Sequence, residues 1–202
     1  DFDWDSIFEG VSWFHFTGIT PALGDNVAAC CLEACKAAKA KNITVSCDLN
    51  FRKNLWTSEK AGQVMGQLME ATDVTTGKLN HDGYREVASK LKERFGFSKV
   101  AITLRTSISA NDNKWAAMLY DGEDYYFSKS YDVHIVDRVG GGDSFGGGLI
   151  YALLAGKSSK DALEFAVAAS CLKHSIEGDY NAVSVKEVET LAGGDGTGRV
   201  QR

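Results

Sequence analysis

In the stretch Asp137-Arg-Val-Gly-Gly-Gly-Asp-Ser-Phe-Gly-Gly-Gly-Leu-Ile150 a carboxylate, Asp143, follows directly on three glycines. Glycine runs that open a helix expose backbone N–H groups at its positive end and collect anions there. Successive glycines also let the backbone approach a ligand closely and turn several N–H groups the same way, so Gly140, Gly141 and Gly142 predict an anion hole. A carboxylate cannot ligate a phosphate in such a place. Beside one, it can be the base that takes the proton from a hydroxyl attacking a phosphoryl group. The alternative for Asp143 is a helix N-cap, a role aspartate often fills, although Gly146 three residues on supplies no capping box. Gly146, Gly147 and Gly148 would each cost about 1 kcal/mol relative to alanine inside a helix. They predict a first turn pressed against another backbone or a ligand.

These residues need a scaffold, and the apolar pattern supplies one. "VSWFHF" (Val11 to Phe16) reads as a strand, and Val27, Cys30, Cys31, Ala34 and Ala38 follow helical spacing. "ITVSCDL" (Ile43 to Leu49) is the next strand, Ser58 to Met69 and Asp82 to Phe95 are helical, and "KVAITL" (Lys99 to Leu104) is a strand buried on both faces. Shorter strands follow at Trp115 to Tyr120, Tyr125 to Ser128 and Val133 to Val136, then helices over Asp143 to Leu154, Lys160 to His174 and Ser184 to Leu191. Alternation of this kind predicts an α/β fold, a mostly parallel sheet flanked by helices. One beat is missing: between Glu70 and the helix at Asp82 no apolar run exceeds Asp73-Val74-Thr75. Two consecutive helices on such a sheet need a strand between them, so either the chain makes a helical excursion or residues are missing between Glu70 and Ala71. The chain also opens on a short acidic segment with no recognisable first strand and glycine loop, and "GGDGTGR" near its end reads as a flexible tail.

Ligands of an open parallel sheet bind beyond the carboxyl ends of its strands. Those ends bring His15 to Thr20, then Asp48, Asn50 and Arg52, then Thr103 and Arg105, and finally the Asp137 to Asp143 loop. "CDLNFRKNLW" is either a strand leaving into an ordinary polar loop or the carrier of a dedicated cation. In the second case Arg52 would grip a carboxylate or phosphate bidentately.

A net charge of −5 gives no basic footprint for nucleic acid or an anionic membrane, so the expected partner is a small molecule held by local donors. Cys30, Cys31, Cys35, Cys47 and Cys171 are odd in number and form no C-x-x-C pair, and they read as reduced, buried thiols. No apolar run reaches membrane-spanning length and the acidic start is unlike a signal peptide, which together place the protein in the cytoplasm. The chain contains no G-x-x-x-x-G-K-[ST], and Phe145 stands where a dinucleotide fingerprint needs its third glycine. His15, His81, His134 and His174 lack metal-ligand spacing and read as packing or surface residues; the metal ligands stay unknown.

"DRVGGGDSF" resembles the D-T-x-G-A-G-D signature of ribokinase-like (PfkB) sugar kinases, with Arg138 for threonine and Gly141 for alanine. "WFHFTGITPAL", "CDLNFRKNLW", "AITLR" and the terminal "GDGTGRVQR" narrow the likeness to the members that act on 2-keto-3-deoxy sugar acids. The resemblance implies a single ribokinase-like α/β domain over residues 1–202, the C-terminal two thirds of a family member, lacking the N-terminal lid region. It implies ATP-dependent phosphorylation of the terminal hydroxyl of a sugar acid such as 2-dehydro-3-deoxygluconate, with Mg²⁺ screening the phosphates. It makes Asp143 the catalytic base and the N–H groups of Gly140, Gly141 and Gly142 the phosphate donors. Arg52 would contact the acid end of the substrate and Asp179 would be a second substrate contact. Thr103 and Arg105 would lie on the nucleotide side, where the family's T-x-G-x-x-G pattern here reads "TLRTSISA". The family's N-x-x-E motif, which organises magnesium and phosphate, is absent. Another ketose or nucleoside kinase of this fold, or a non-catalytic sugar- or nucleotide-binding regulator, stays open, as does a homo-oligomer.

Overall fold

The computed structural model describes residues 2–78 and 83–194. The described residues divide into two compact units, 2–78 with 85–101, and 83–84 with 102–194. Among the described residues the strands Trp13–Thr17, Thr44–Asp48, Val74–Lys78 and Lys99–Ser107 are neighbours in that order, and Asp112–Tyr120 has Tyr125–Phe127 and Tyr131–His134 beside it.

The first unit opens with a single turn, α1 (Trp4–Ile7), then β1 (Trp13–Thr17), a second short turn α2 (Ile19–Ala22) and the long helix α3 (Asp25–Ala40). Strand β2 (Thr44–Asp48), helix α4 (Ser58–Met69), strand β3 (Val74–Lys78) and helix α5 (Tyr84–Phe95) follow, and strand β4 (Lys99–Ser107) begins in this unit. β1 and β2 are parallel, with Trp13 beside Thr44 and Thr17 beside Asp48. α3 buries Cys31, Ala34, Cys35 and Ala38, the stripe its spacing predicts, while Cys30 is half-exposed and corrects the expectation that all five thiols are buried. α4 begins at Ser58 because the Thr57 hydroxyl accepts from the Lys60 N–H at 3.2 Å, and its apolar stripe buries Met65, Leu68 and Met69.

The strand missing from the apolar pattern is present. β3 runs parallel to β2, with Ser46, Cys47 and Asp48 beside Val74, Thr75 and Thr76. Val74, Thr75 and Thr76 are all buried. Threonine counts as polar in a hydrophobic pattern, but its branched Cβ suits a strand as valine does. The join at Glu70–Ala71 is a closed turn, in which Ala71 and Thr72 donate N–H bonds to Leu68 and Met69 carbonyls at 3.1 Å and the Thr72 hydroxyl donates to Leu68 O at 2.9 Å. The end of β3 leads into residues 79–82, so His81 lies outside the described residues, as do residues 195–199 of the predicted tail.

The second unit holds the rest of β4, then β5 (Asp112–Tyr120), β6 (Tyr125–Phe127) and β7 (Tyr131–His134). β6 and β7 both pair antiparallel with β5, so the sheet is mixed; β7 starts two residues before the predicted strand because Tyr131 pairs with Trp115. Three helices complete the described part of the unit: α6 (Gly141–Leu154), α7 (Ser159–His174) and α8 (Val185–Gly193). Side-chain caps start α7 and α8: Ser158 accepts from Asp161 N–H, and Ser184 and Glu187 form a capping box. From Phe165 on, α7 is buried at every residue but Leu172, including its polar end at Ser170, Lys173 and His174. α6 approaches it closely at Gly148, where a Cβ would meet Ala169 Cβ at 3.1 Å and Ala166 Cα at 3.2 Å. The predicted pressure on the glycine run is therefore real at Gly148, whereas a Cβ on Gly146 or Gly147 would meet nothing within 4 Å. Among the described residues no helix is long and apolar enough to cross a membrane.

Candidate functional site

α6 begins one residue after Gly140, which holds φ at +77° and serves as the N-cap without any side-chain hydrogen bond. Asp143 is thus the third helical residue and not the cap; its carboxylate is exposed and has no hydrogen-bond or ion-pair partner among the described residues. The N–H groups of a first helical turn have no intrahelical acceptor. That of Gly141 closes a 3.3 Å bond to Arg138 O, and Ser144 makes the first helical bond, to Gly140 O at 2.8 Å.

Side chains and backbone beneath this loop explain its glycines. A Cβ on Gly140 would stand 2.1 Å from Asp179 O and 3.3 Å from Lys173 Cε. One on Gly141 would stand 2.7 Å from Cε1 and 2.8 Å from Nε2 of His174. Asp137 ties the two loops together, its Oδ1 accepting from Val139 N–H and its Oδ2 from Gly178 N–H, both at 2.9 Å. These two donors, with the nearby Lys173 ammonium adding to them, hold its carboxyl below the ordinary carboxylate range. Ser170 donates its hydroxyl to Gly141 O at 2.8 Å. Sequence reasoning places Asp179 here only through family resemblance and misses Lys173 and Ser170. Their signal is positional: Ala162, Ala166, Ala169, Ser170 and Lys173 share one helical stripe, the one α7 buries.

His174 packs its ring on Trp115, centroids 4.7 Å apart, and places Nδ1 2.7 Å from Ser170 O. Facing a carbonyl, Nδ1 must carry the proton, so the neutral ring is the Nδ1–H tautomer. Burial pushes its pKa below 6.5, and Lys173, Arg105 and Arg138 push the same way against the Ser170 carbonyl. A base whose folded-state pKa is lowered leaves the unfolded chain binding more protons, so its stabilising contribution is complete above about pH 6.5 and is lost as pH falls through the folded-state value. The urea midpoint is therefore expected to drop from pH 7.5 to pH 5.5, and His174→Gln is expected to flatten that slope. Equal slopes in the two proteins would mean that other groups set the acid limit.

Thr103 is buried in β4, and Arg105 donates Nε–H to Asn113 Oδ1 on β5 at 2.7 Å. Arg138, standing where the resembled signature has threonine, donates to the carbonyl of Ala110. Thus Gly140 to Asp143 and the Asp179 backbone are brought together, while the described contact of Arg105 is within the sheet.

In the first unit the ends of β1 and β2 meet. Gly18 N–H donates to Asp48 O at 2.7 Å, and a Cβ on Gly18 would lie 2.1 Å from Leu49 O. Asn50 donates its amide to Thr17 Oγ1 at 3.2 Å and its backbone N–H to Asp48 Oδ1 at 3.3 Å, while holding φ at +32°. A non-glycine residue in that region needs surrounding bonds to keep it there, and such positions concentrate at functional sites. Arg52, just beyond, is exposed, and its guanidinium has no partner among the described residues. His15 places Nδ1 2.8 Å from the Ser46 hydroxyl, which also accepts from Trp13 Nε1. Among the described residues no group of three His, Cys, Asp or Glu side chains converges to hold a metal.

The family model described as "pfkB family carbohydrate kinase" matches residues 2–186. The chain belongs to the pfkB carbohydrate kinase family. It is similar to a crystal structure of 2-dehydro-3-deoxygluconokinase from Thermotoga maritima, with a TM-score of 0.91 and 45% identity over 96% of this chain and 63% of that one. It is 30% identical over 198 residues to a 2-dehydro-3-deoxygalactonokinase of Haloferax volcanii, covering 94% of this chain and 60% of that protein. A 2-dehydro-3-deoxygluconokinase of Thermoproteus tenax is 28% identical over 196 residues, covering 92% of this chain and 56% of that protein. The chain thus spans about three fifths of the length of these relatives.

Proposed function

We propose that the protein is an ATP-dependent kinase that phosphorylates the terminal hydroxyl of a 2-keto-3-deoxy sugar acid, 2-dehydro-3-deoxygluconate or its galacto epimer. The observation that carries the reading is the state of Asp143: exposed, capping nothing, and in the first turn of a helix whose N-terminal loop is shaped around a backbone approach at Gly140. Three similar proteins named as kinases of such acids support the substrate class. Asp143 takes the proton of the sugar hydroxyl as its oxygen bonds to the γ-phosphorus of ATP; the bond from that phosphorus to the bridging oxygen breaks, and ADP leaves. The N–H groups of Gly140 to Gly142 and the positive end of α6 meet the charge on the transferring group. The loop fits a phosphate, since it presents backbone donors and no side chain. Mg²⁺ would enter with the nucleotide, held by phosphate oxygens and water, and would neutralise charge on the β- and γ-phosphates.

The test is ADP release by the full-length gene product with ATP and either epimer of the acid, against a neutral ketose. Turnover with the neutral sugar alone would replace this reading by another ketose kinase, and no turnover with any acceptor would favour a binding protein. Arg52 refines the test. An acidic protein must meet a substrate carboxylate with a local cation, and Arg52, four residues past the end of β2, has no partner among the described residues. A charge-assisted bond of this kind is worth roughly 1.5–3 kcal/mol, so Arg52→Ala is expected to raise KM for the acid by about 10- to 150-fold. Arg52→Lys should recover part of that, lacking the bidentate fork. Equal losses on acid and neutral substrates would show that Arg52 does not read the carboxylate.

A further inference from the structure

Lys173 is the anomaly of the second unit: a lysine with 0% exposure, at the end of α7. An ammonium is costly to bury unless acceptors and a counter-charge surround it, and a surface lysine performs no task that needs such burial. Its Nζ donates to Ile176 O at 2.9 Å, inside the segment that runs from α7 to Asp179. Its Cε lies 3.3 Å from the Cβ position of Gly140, on the glycine-loop side. Asp137 bridges the same two segments through Val139 N–H and Gly178 N–H, and its carboxylate is the acid that responds to the Lys173 charge. His174, the next residue, is held neutral and supplies no charge here.

We propose that Lys173 is a positioning residue for phosphoryl transfer, an internal cation that clamps the Gly140 loop to the 176–179 segment and so aims the loop's N–H groups. The role rests on the kinase reading above. The ammonium is sealed from solvent and cannot itself reach a nucleotide. It acts through the backbone: it anchors the Ile176 carbonyl, favours the charged form of nearby Asp137, and holds the segment whose Asp179 carbonyl packs on Gly140. Loss of the charge would let two loops joined mainly by Asp137 drift apart, and donors of an anion hole lose their value over fractions of an ångström.

The test uses the full-length gene product with the variants Lys173→Met, Lys173→Ala and Asp137→Asn. Lys173→Met keeps the volume and removes the charge; kcat is expected to fall by about 10²-fold, the loss that a misplacement near 1 Å can cause, with KM for the sugar acid little changed. ADP affinity, read by calorimetry, should weaken by about 10-fold, as displaced loop N–H groups lose part of their hydrogen bonding to its terminal phosphate. In Lys173→Ala, ammonium or methylammonium ions should restore turnover with a saturable dependence that sodium at equal ionic strength does not match. A merely structural lysine would lower the melting temperature without such rescue. If Lys173→Met does not fold, Asp137→Asn carries the test, since it removes the counter-charge and one of two accepted bonds and should lower kcat in the same way. A folded Lys173→Met with wild-type kcat and ADP affinity, or rescue equal in sodium, overturns the proposal while leaving the kinase reading intact. If Asp137→Asn has to decide, wild-type kcat in that variant overturns it as well. Absence of turnover in the wild type would instead remove the kinase reading, and unchanged ADP affinity in Lys173→Met would then remove the clamp.

Discussion

Asp143→Asn is expected to lower kcat by about 10² to 10⁴, the range for losing a positioned general base. ATP and ADP affinity should hold or rise, because a negative neighbour of the phosphates has been neutralised. Stability separates this role from a helical one. An N-cap lost to substitution would cost about 1 kcal/mol, but the cap of α6 is Gly140 and the Asp143 side chain accepts no capping bond. What remains is the attraction of a first-turn carboxylate to the helix dipole, roughly 0.3–1 kcal/mol. A large fall in turnover with a small change in melting temperature is the expected pair of results. Near-wild-type turnover would leave Asp143 as a helix-end charge and nothing more.

Gly140→Ala is expected to damage the site through geometry alone. The new Cβ would meet Asp179 O at 2.1 Å, which no rotamer relieves, and φ at +77° disfavours any L side chain. The left-handed conformation costs alanine about 1–2 kcal/mol. The clash forces the glycine loop away from the 178–179 segment, and a displacement near 1 Å in such a loop is worth about 10²-fold in kcat or more. Both effects should appear together, a lowered urea midpoint and a collapse of turnover. Gly147→Ala is the stability control, because its Cβ meets nothing within 4 Å. It should hold or raise the midpoint, since alanine is favoured over glycine in a helix by about 1 kcal/mol. A Gly140→Ala protein as stable and active as the wild type would mean that the loop needs neither the left-handed turn nor the close approach.

Local chemistry makes the central feature legible in the amino-acid sequence itself. Three glycines followed by an aspartate at a helix opening carry their meaning there, because helix starts, backbone freedom and charge at a helix end are all short-range properties. α4 is readable to the residue, since its threonine cap and its apolar spacing both lie within it or beside it. β3 is not, because its threonines declare themselves as strand residues only when β2 lies alongside to bury them. The choice between cap and free carboxylate for Asp143 also needs the fold, which puts the cap on Gly140. Lys173 and His174 look in sequence like the polar end of an ordinary helix. Only the packing of α7 inside the second unit buries them and sets them under Gly140 and Gly141. A chain segment states its own preferences, but burial and counter-charge come from residues distant in sequence, so the cation under the glycine loop is a property of the tertiary structure alone.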